Sequence, residues 1–121
     1  MLAEARSVFP LEACGLMAGK AGIIQHIYPI TNILSSPVAY QLDPKQQVNA
    51  MLELEEQGWE LLAIFHSHPL GPSTPSPSDV AQATYPEAAY VIVSLRDMRS
   101  PSIRAFKIKE ATVSEIKLEV E

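Results

Sequence analysis

The sequence predicts a single mixed domain of the α/β or α+β class, on three observations. Apolar runs of strand length alternate with segments of helical spacing. A chain of 121 residues can bury one core and hardly two. Its 47% hydrophobic and 19% charged residues are the balance of an ordinary soluble globular protein.

Residues 2–8 read as a short helix stopped by Pro10, too short to hold without tertiary packing. Glu12 to Ala18 reads as a strand closed by the turn Gly19-Lys20-Ala21-Gly22, with Ile23 to Tyr28 as its hairpin partner. Tyr40 to Leu42 is a further short strand. Asp43-Pro44 then opens a helix, because Asp caps the first turn and Pro is tolerated at its first position. Apolar Val48, Met51 and Leu52 follow at helical spacing, and Gly58 is the C-terminal stop.

Trp59 to Phe65 is a nearly continuous apolar run, as in a buried strand. Pro69, Pro72, Pro75 and Pro77, interleaved with serines and Gly71, make 69–78 a loop. Asp79 to Tyr85 suits a short helix ending at Pro86. Tyr90 to Leu95 is another buried strand, with Ile103 to Ile108 as its hairpin neighbour. Ile116 to Glu121 alternates apolar with acidic residues, the pattern of a half-exposed strand.

The bulk properties exclude several classes of partner. A net charge of −5, with only nine Lys and Arg and no basic run, argues against nucleic acid. One cysteine, Cys14, cannot form an internal disulfide and fits a reducing cytoplasm. No apolar run approaches membrane-spanning length, and no signal-like segment opens the chain, so a soluble cytoplasmic protein without a membrane partner is expected.

The chemistry concentrates in His66-Ser67-His68-Pro69. Side chains two apart on a strand share a face, about 6.5–7 Å apart along the chain, so the two imidazoles can converge on one ion. Ser67 must point the other way. The proline-rich loop can carry Asp79 back over the same point. Two histidines and one carboxylate suit zinc and leave a fourth position open, which marks a catalytic rather than a structural site. Such a site needs a base and a donor for the developing oxyanion; hydroxyls of the 69–78 loop are candidates for the donor. Spacing alone does not select the base among the glutamates.

Each of these residues also has a plainer reading. Asp79 can cap a helix, although Ser78 is the better pure cap, and Ser76 can simply form a turn. Cys14 reads as a small buried apolar residue and His26 as structural. Trp59, Tyr85 and Tyr90 read as core residues, and Glu53, Glu55 and Glu56 as a solvated helix face.

The whole pattern, Glu12 in Pro10-Leu11-Glu12-Ala13-Cys14-Gly15, then His66-Ser67-His68-Pro69, Ser76 and Asp79, resembles the JAMM (MPN+) metalloprotease motif. The likeness extends to Tyr40-Gln41-Leu42-Asp43, the Trp59 to Phe65 strand and Ala89 to Ser94, and is nearest to the bacterial Mec-type peptidases of sulfur-carrier proteins in cysteine biosynthesis. It implies a curved mixed β-sheet flanked by helices, related to the cytidine deaminase architecture. It implies one Zn2+ per chain on His66, His68 and Asp79, Glu12 as general base, and Ser76 as donor to the oxyanion. The implied substrate is the bond after the C-terminal glycine of a ubiquitin-like sulfur carrier or its conjugate, with cysteine the expected product. An isopeptidase acting on lysine conjugates and a non-catalytic MPN scaffold are the alternatives. Monomer and homo-oligomer both remain open.

Overall fold

The computed structural model describes residues 1–117. Its elements are α1 (Leu2–Val8), β1 (Cys14–Lys20), β2 (Ile23–Ile30), α2 (Pro44–Glu56), β3 (Glu60–His68), α3 (Pro77–Gln82), β4 (Ala89–Ser94), β5 (Ser102–Lys109) and β6 (Thr112–Ile116). The strands form one mixed sheet in the order β2-β1-β3-β4-β5-β6. Among the described residues only β3 and β4 run parallel, joined by the crossover that carries α3, and every other pair is antiparallel. The expected mixed α+β class is the observed one.

Side-chain alternation divides the core between the two faces of the sheet. Leu16, Ala18, Ile64, Tyr90, Ile92, Phe106 and Ile108 point to the face covered by α2, where Ala50 and Leu54 close the cluster. Complete burial of a leucine such as Leu54 contributes roughly 2 kcal/mol. On the opposite face Met17, Ala63, Phe65, Val91 and Ala105 form a second cluster. There Ala5 of α1 packs on Ala13, Val93 and Leu95. Gly15 is dictated by close approach: a Cβ at this position would strike the Tyr28 carbonyl and the Phe65 ring.

Several local expectations require correction. Glu12 and Ala13 precede β1 rather than belonging to it. Gly19 and Lys20 are strand residues, and the turn is Ala21-Gly22, both with positive φ, as a two-residue hairpin demands. Tyr40 to Leu42 makes only one isolated bridge, Leu42 to Asn32. In α2, Val48 and Leu52 are exposed; the buried stripe is Ala50 and Leu54 with Met51 beside them. The Asp43 carboxylate caps α2 by accepting the Lys45 and Gln46 N–H groups, and Gly58, at φ 72°, follows its end. α3 begins at Pro77, so its N-cap is Ser76 and not Ser78. The last strand, β6, ends where Ile116 to Glu121 was expected to begin, and residues 118–121 lie outside the described ones.

Candidate metal centre

His66 and His68 stand at the C-terminal end of β3, on the α2 face of the sheet. Ligand sites of open α/β sheets favour this end of parallel strands. His66 lies between Cys14 of β1 and Ile92 of β4, and His68 pairs with Ser94. The loop after β3 is tied back by the Ser94 hydroxyl, which donates to the Gly71 carbonyl at 2.7 Å. That loop delivers α3, and with it Asp79, above the two imidazoles.

The geometry is tight. His66 Nε2 and His68 Nε2 are 3.0 Å apart, and Asp79 Oδ2 lies 3.1 Å from the first and 3.0 Å from the second. All three residues are buried. The Pro72 carbonyl can only accept, so His68 Nδ1 donates to it at 2.7 Å, and a neutral His68 keeps a lone pair on Nε2. That lone pair faces a carboxylate oxygen which already accepts the Ser76 N–H at 2.9 Å. Acceptors in such contact need a hydrogen or a cation between them, either an Nε2–H of His66 or an ion shared among the three. Two donor atoms each about 2.1 Å from a tetrahedral ion lie roughly 3.4 Å apart, so the triangle fits a zinc-sized ion with small relaxation. The Nδ1–H bond of His68 to a backbone carbonyl is also the usual outer support of a ligating histidine.

Glu12 overlaps this set. Its carboxylate and the ligand nitrogens of both histidines lie within 4.8 Å of one another, forming a second candidate donor group. The short contacts favour Asp79 as the third chelating atom. Glu12 Oε1 is buried without a hydrogen-bond partner, which suits a group waiting to take a proton. Burial pushes the Glu12 carboxyl up to about 7, with His68 opposing that rise and Asp79 adding to it. Burial also works against ionised Asp79, but hydrogen bonds from His66, His68 and the Ser76 N–H outweigh it and hold its carboxyl well below the usual range. His66 is driven down by burial, whereas in His68 the bonds to Asp79 and the Pro72 carbonyl overcome burial and raise it.

The sequence-predicted residues converge. Ser76 Oγ accepts the Asp79 N–H at 3.1 Å, which leaves its own hydrogen to donate elsewhere. Cys14 is fully buried, its thiol pushed up to about 12 by burial and donating to the Ile30 carbonyl at 3.3 Å; it behaves as a core residue. His26, on β2, stacks on Trp59 just before β3, outside the cluster. Sequence reasoning assigned no role at the site to two neighbours. Tyr40 lays its ring on His66, centroids 4.4 Å apart and planes 18° from parallel. Ser67, correctly expected to face away, accepts the Ala13 N–H at 2.7 Å and so anchors the residue next to Glu12.

Residues 1–109 match the family described as prokaryotic homologs of the JAB domain. The chain is 39% identical over 118 residues to the CysO-cysteine peptidase of Mycobacterium tuberculosis, covering 95% of this chain and 80% of the relative. It is 39% identical over 102 residues to a probable TtuB-protein conjugate cleaving protease of Thermus thermophilus, covering 84% and 64%. The solution structure of DSY2949 from Desulfitobacterium hafniense superposes with a TM-score of 0.90 at 36% identity, covering 100% of this chain and 86% of that one. By the extent of the family match and the identity of these relatives, the chain belongs to the prokaryotic JAB-domain family.

Proposed function

We propose that this protein is a zinc-dependent peptidase that cleaves after the C-terminal glycine of a ubiquitin-like sulfur carrier and releases cysteine. The observation that carries the reading is the convergence of His66, His68 and Asp79 within 3.1 Å beside the unpartnered, buried carboxylate of Glu12. A relative named for CysO-cysteine supports the substrate. His66, His68 and Asp79 would hold the zinc, which supplies Lewis acidity toward the scissile carbonyl and toward the hydrolytic water.

The chain's own residues do the rest. Glu12 accepts the proton of the attacking water and returns it to the leaving amine, a task suited to a carboxyl raised toward neutrality. Ser76 turns its free O–H toward the oxygen that gains charge. Ser67 and the backbone around Ala13 hold Glu12 in reach. A cleft of about 470 Å3 between α2 and the segment after α3 opens beside Tyr40. Its lining joins the amides and hydroxyls of Gln41, Gln47, Gln82 and Thr84 to apolar Leu42, Pro44 and Ile64 and carries no charge, a surface suited to an extended glycine-rich tail. A reducing cytoplasm suits Cys14, and no described helix is long and apolar enough to cross a membrane.

The test is a mass measurement. Zinc-loaded protein incubated with a carrier–cysteine adduct should shorten it by one cysteine residue. No loss at any pH, with zinc confirmed in the protein, would sink the proposal. The conjugate-cleaving relative favours a second reading, an isopeptidase; faster cleavage of a lysine-linked conjugate than of the cysteine adduct would select it.

A further inference from the structure

We propose that Asn32 is a positioning residue for this hydrolysis, a buried amide that fixes the Glu12 backbone and the Tyr40 loop as one unit beside the metal-binding cluster. The inference rests on the reading of Glu12 as base and His66 as ligand.

Asn32 follows β2 and is 9% exposed. Its Nδ2 donates to the Glu12 carbonyl at 3.2 Å and to the Ala39 carbonyl at 2.9 Å. Its Oδ1 accepts the Leu34 N–H and the Gln41 N–H, both at 3.1 Å. Both donors and both acceptor positions of the amide are thus used. The four partners also fix which end is nitrogen, since two are carbonyls and two are N–H groups. Glu12 is held on its other side by the same loop, its N–H donating to the Ser36 carbonyl at 2.9 Å. Tyr40 lies between Ala39 and Gln41, so two of the four bonds flank the residue whose ring covers His66.

No other side chain of this size replaces it. Leucine would strand two carbonyls and two N–H groups, and aspartate would set a carboxylate oxygen against the carbonyls of Glu12 and Ala39. A catalytic base displaced by about 1 Å forfeits much of its rate, which is the reason to hold its backbone from both sides. Loop closure alone requires the Leu34 and Gln41 bonds; it does not require the bond to Glu12.

The experiment compares wild type, N32A and N32D by kcat and KM on the carrier–cysteine adduct, by zinc affinity in chelator competition, and by thermal melting. N32A should lose about 10–100-fold in kcat with KM within about twofold, and should bind zinc about tenfold more weakly as Tyr40 leaves His66. A Co2+-substituted sample should show an altered visible spectrum, which a merely lowered melting point would not produce. Unchanged kcat per zinc bound together with unchanged zinc affinity overturns the proposal, even if the melting point falls. N32D keeps the two acceptor bonds and decides if N32A does not fold; failure of both to fold makes Asn32 a folding residue and also overturns it. If wild type binds zinc yet cleaves nothing, the proposed function has failed, and the zinc affinity and Co2+ spectrum of N32A still decide the role of Asn32.

Discussion

Ser76 and Asp79 cap one another at the start of α3: Ser76 Oγ accepts the Asp79 N–H at 3.1 Å, and Asp79 Oδ2 accepts the Ser76 N–H at 2.9 Å. The same Oδ2 touches both histidines, so one short helix start aims the carboxylate and places the hydroxyl beside it. Ser76→Ala should cost about 1 kcal/mol of stability through the lost cap. If Ser76 also donates to the oxyanion, kcat should fall by roughly 100-fold. Melting of the chelator-treated protein measures the first effect alone, and steady-state kinetics of the zinc-loaded protein the second. A fall in stability with kcat intact would leave Ser76 a cap only.

Zinc should behave as a folding ligand of this chain. At one hundred times its dissociation constant it should stabilise by about 2.7 kcal/mol, read as a rise in the melting temperature after metal is restored to stripped protein. H68A and D79A each remove a corner of the triangle and should show little of that rise. A wild-type chain whose melting point ignores zinc would refute the assigned ligand set.

Legibility in the sequence was uneven, for physical reasons. The strand period placed His66 and His68 on one face without reference to any other segment, and the proline loop led directly to Asp79. Glu12 joins them through the pairing of β1 with β3, a contact between segments about fifty residues apart in sequence, so spacing could not select it. Asn32 and Tyr40 sit on a loop that, among the described residues, makes one isolated bridge, and loops leave no periodic trace. The last strand was displaced because its hairpin turn, Glu110-Ala111, takes positive φ at both residues without the glycine or asparagine that would announce it. In α2, Val48 and Leu52 obeyed a helical spacing but lay on the outer side, where only packing could assign them.

The raised Glu12 carboxyl should leave a mark on stability as well as on rate. Its folded value, about 7, lies above the ordinary 4.5. The stability this contributes is fully present below pH 4.5 and is lost as pH rises through 7, because the buried side chain must then ionise. Glu12→Gln removes that dependence. In chelator-treated protein the variant should match wild type near pH 4.5 and exceed it at pH 8, by at most about 3 kcal/mol. Denaturant titrations at the two pH values measure the difference. An equal difference at both would mean that Glu12 is not desolvated. The zinc-loaded variant should be inactive throughout, since glutamine cannot accept the proton.

Ser67 offers the cleanest separation of placement from ligation. It lies between the two histidines but faces the opposite side of the sheet, where its hydroxyl accepts the Ala13 N–H while its own N–H donates to the Ala13 carbonyl at 3.0 Å. Ser67→Ala keeps the backbone bond and both ligands, but leaves the Ala13 N–H buried without a partner. The cost should be about 1–3 kcal/mol, read from denaturant midpoints. Zinc affinity should stay near wild type, because the triangle of His66, His68 and Asp79 is untouched. kcat should fall, because the segment carrying Glu12 loses one of its anchors and the base drifts from the point of attack. Ser67→Thr retains the oxygen and should recover most of the rate if its added methyl fits against the neighbouring Phe65 side of the sheet. A variant that loses zinc and activity together would instead show that Ser67 supports the ligands through β3 itself.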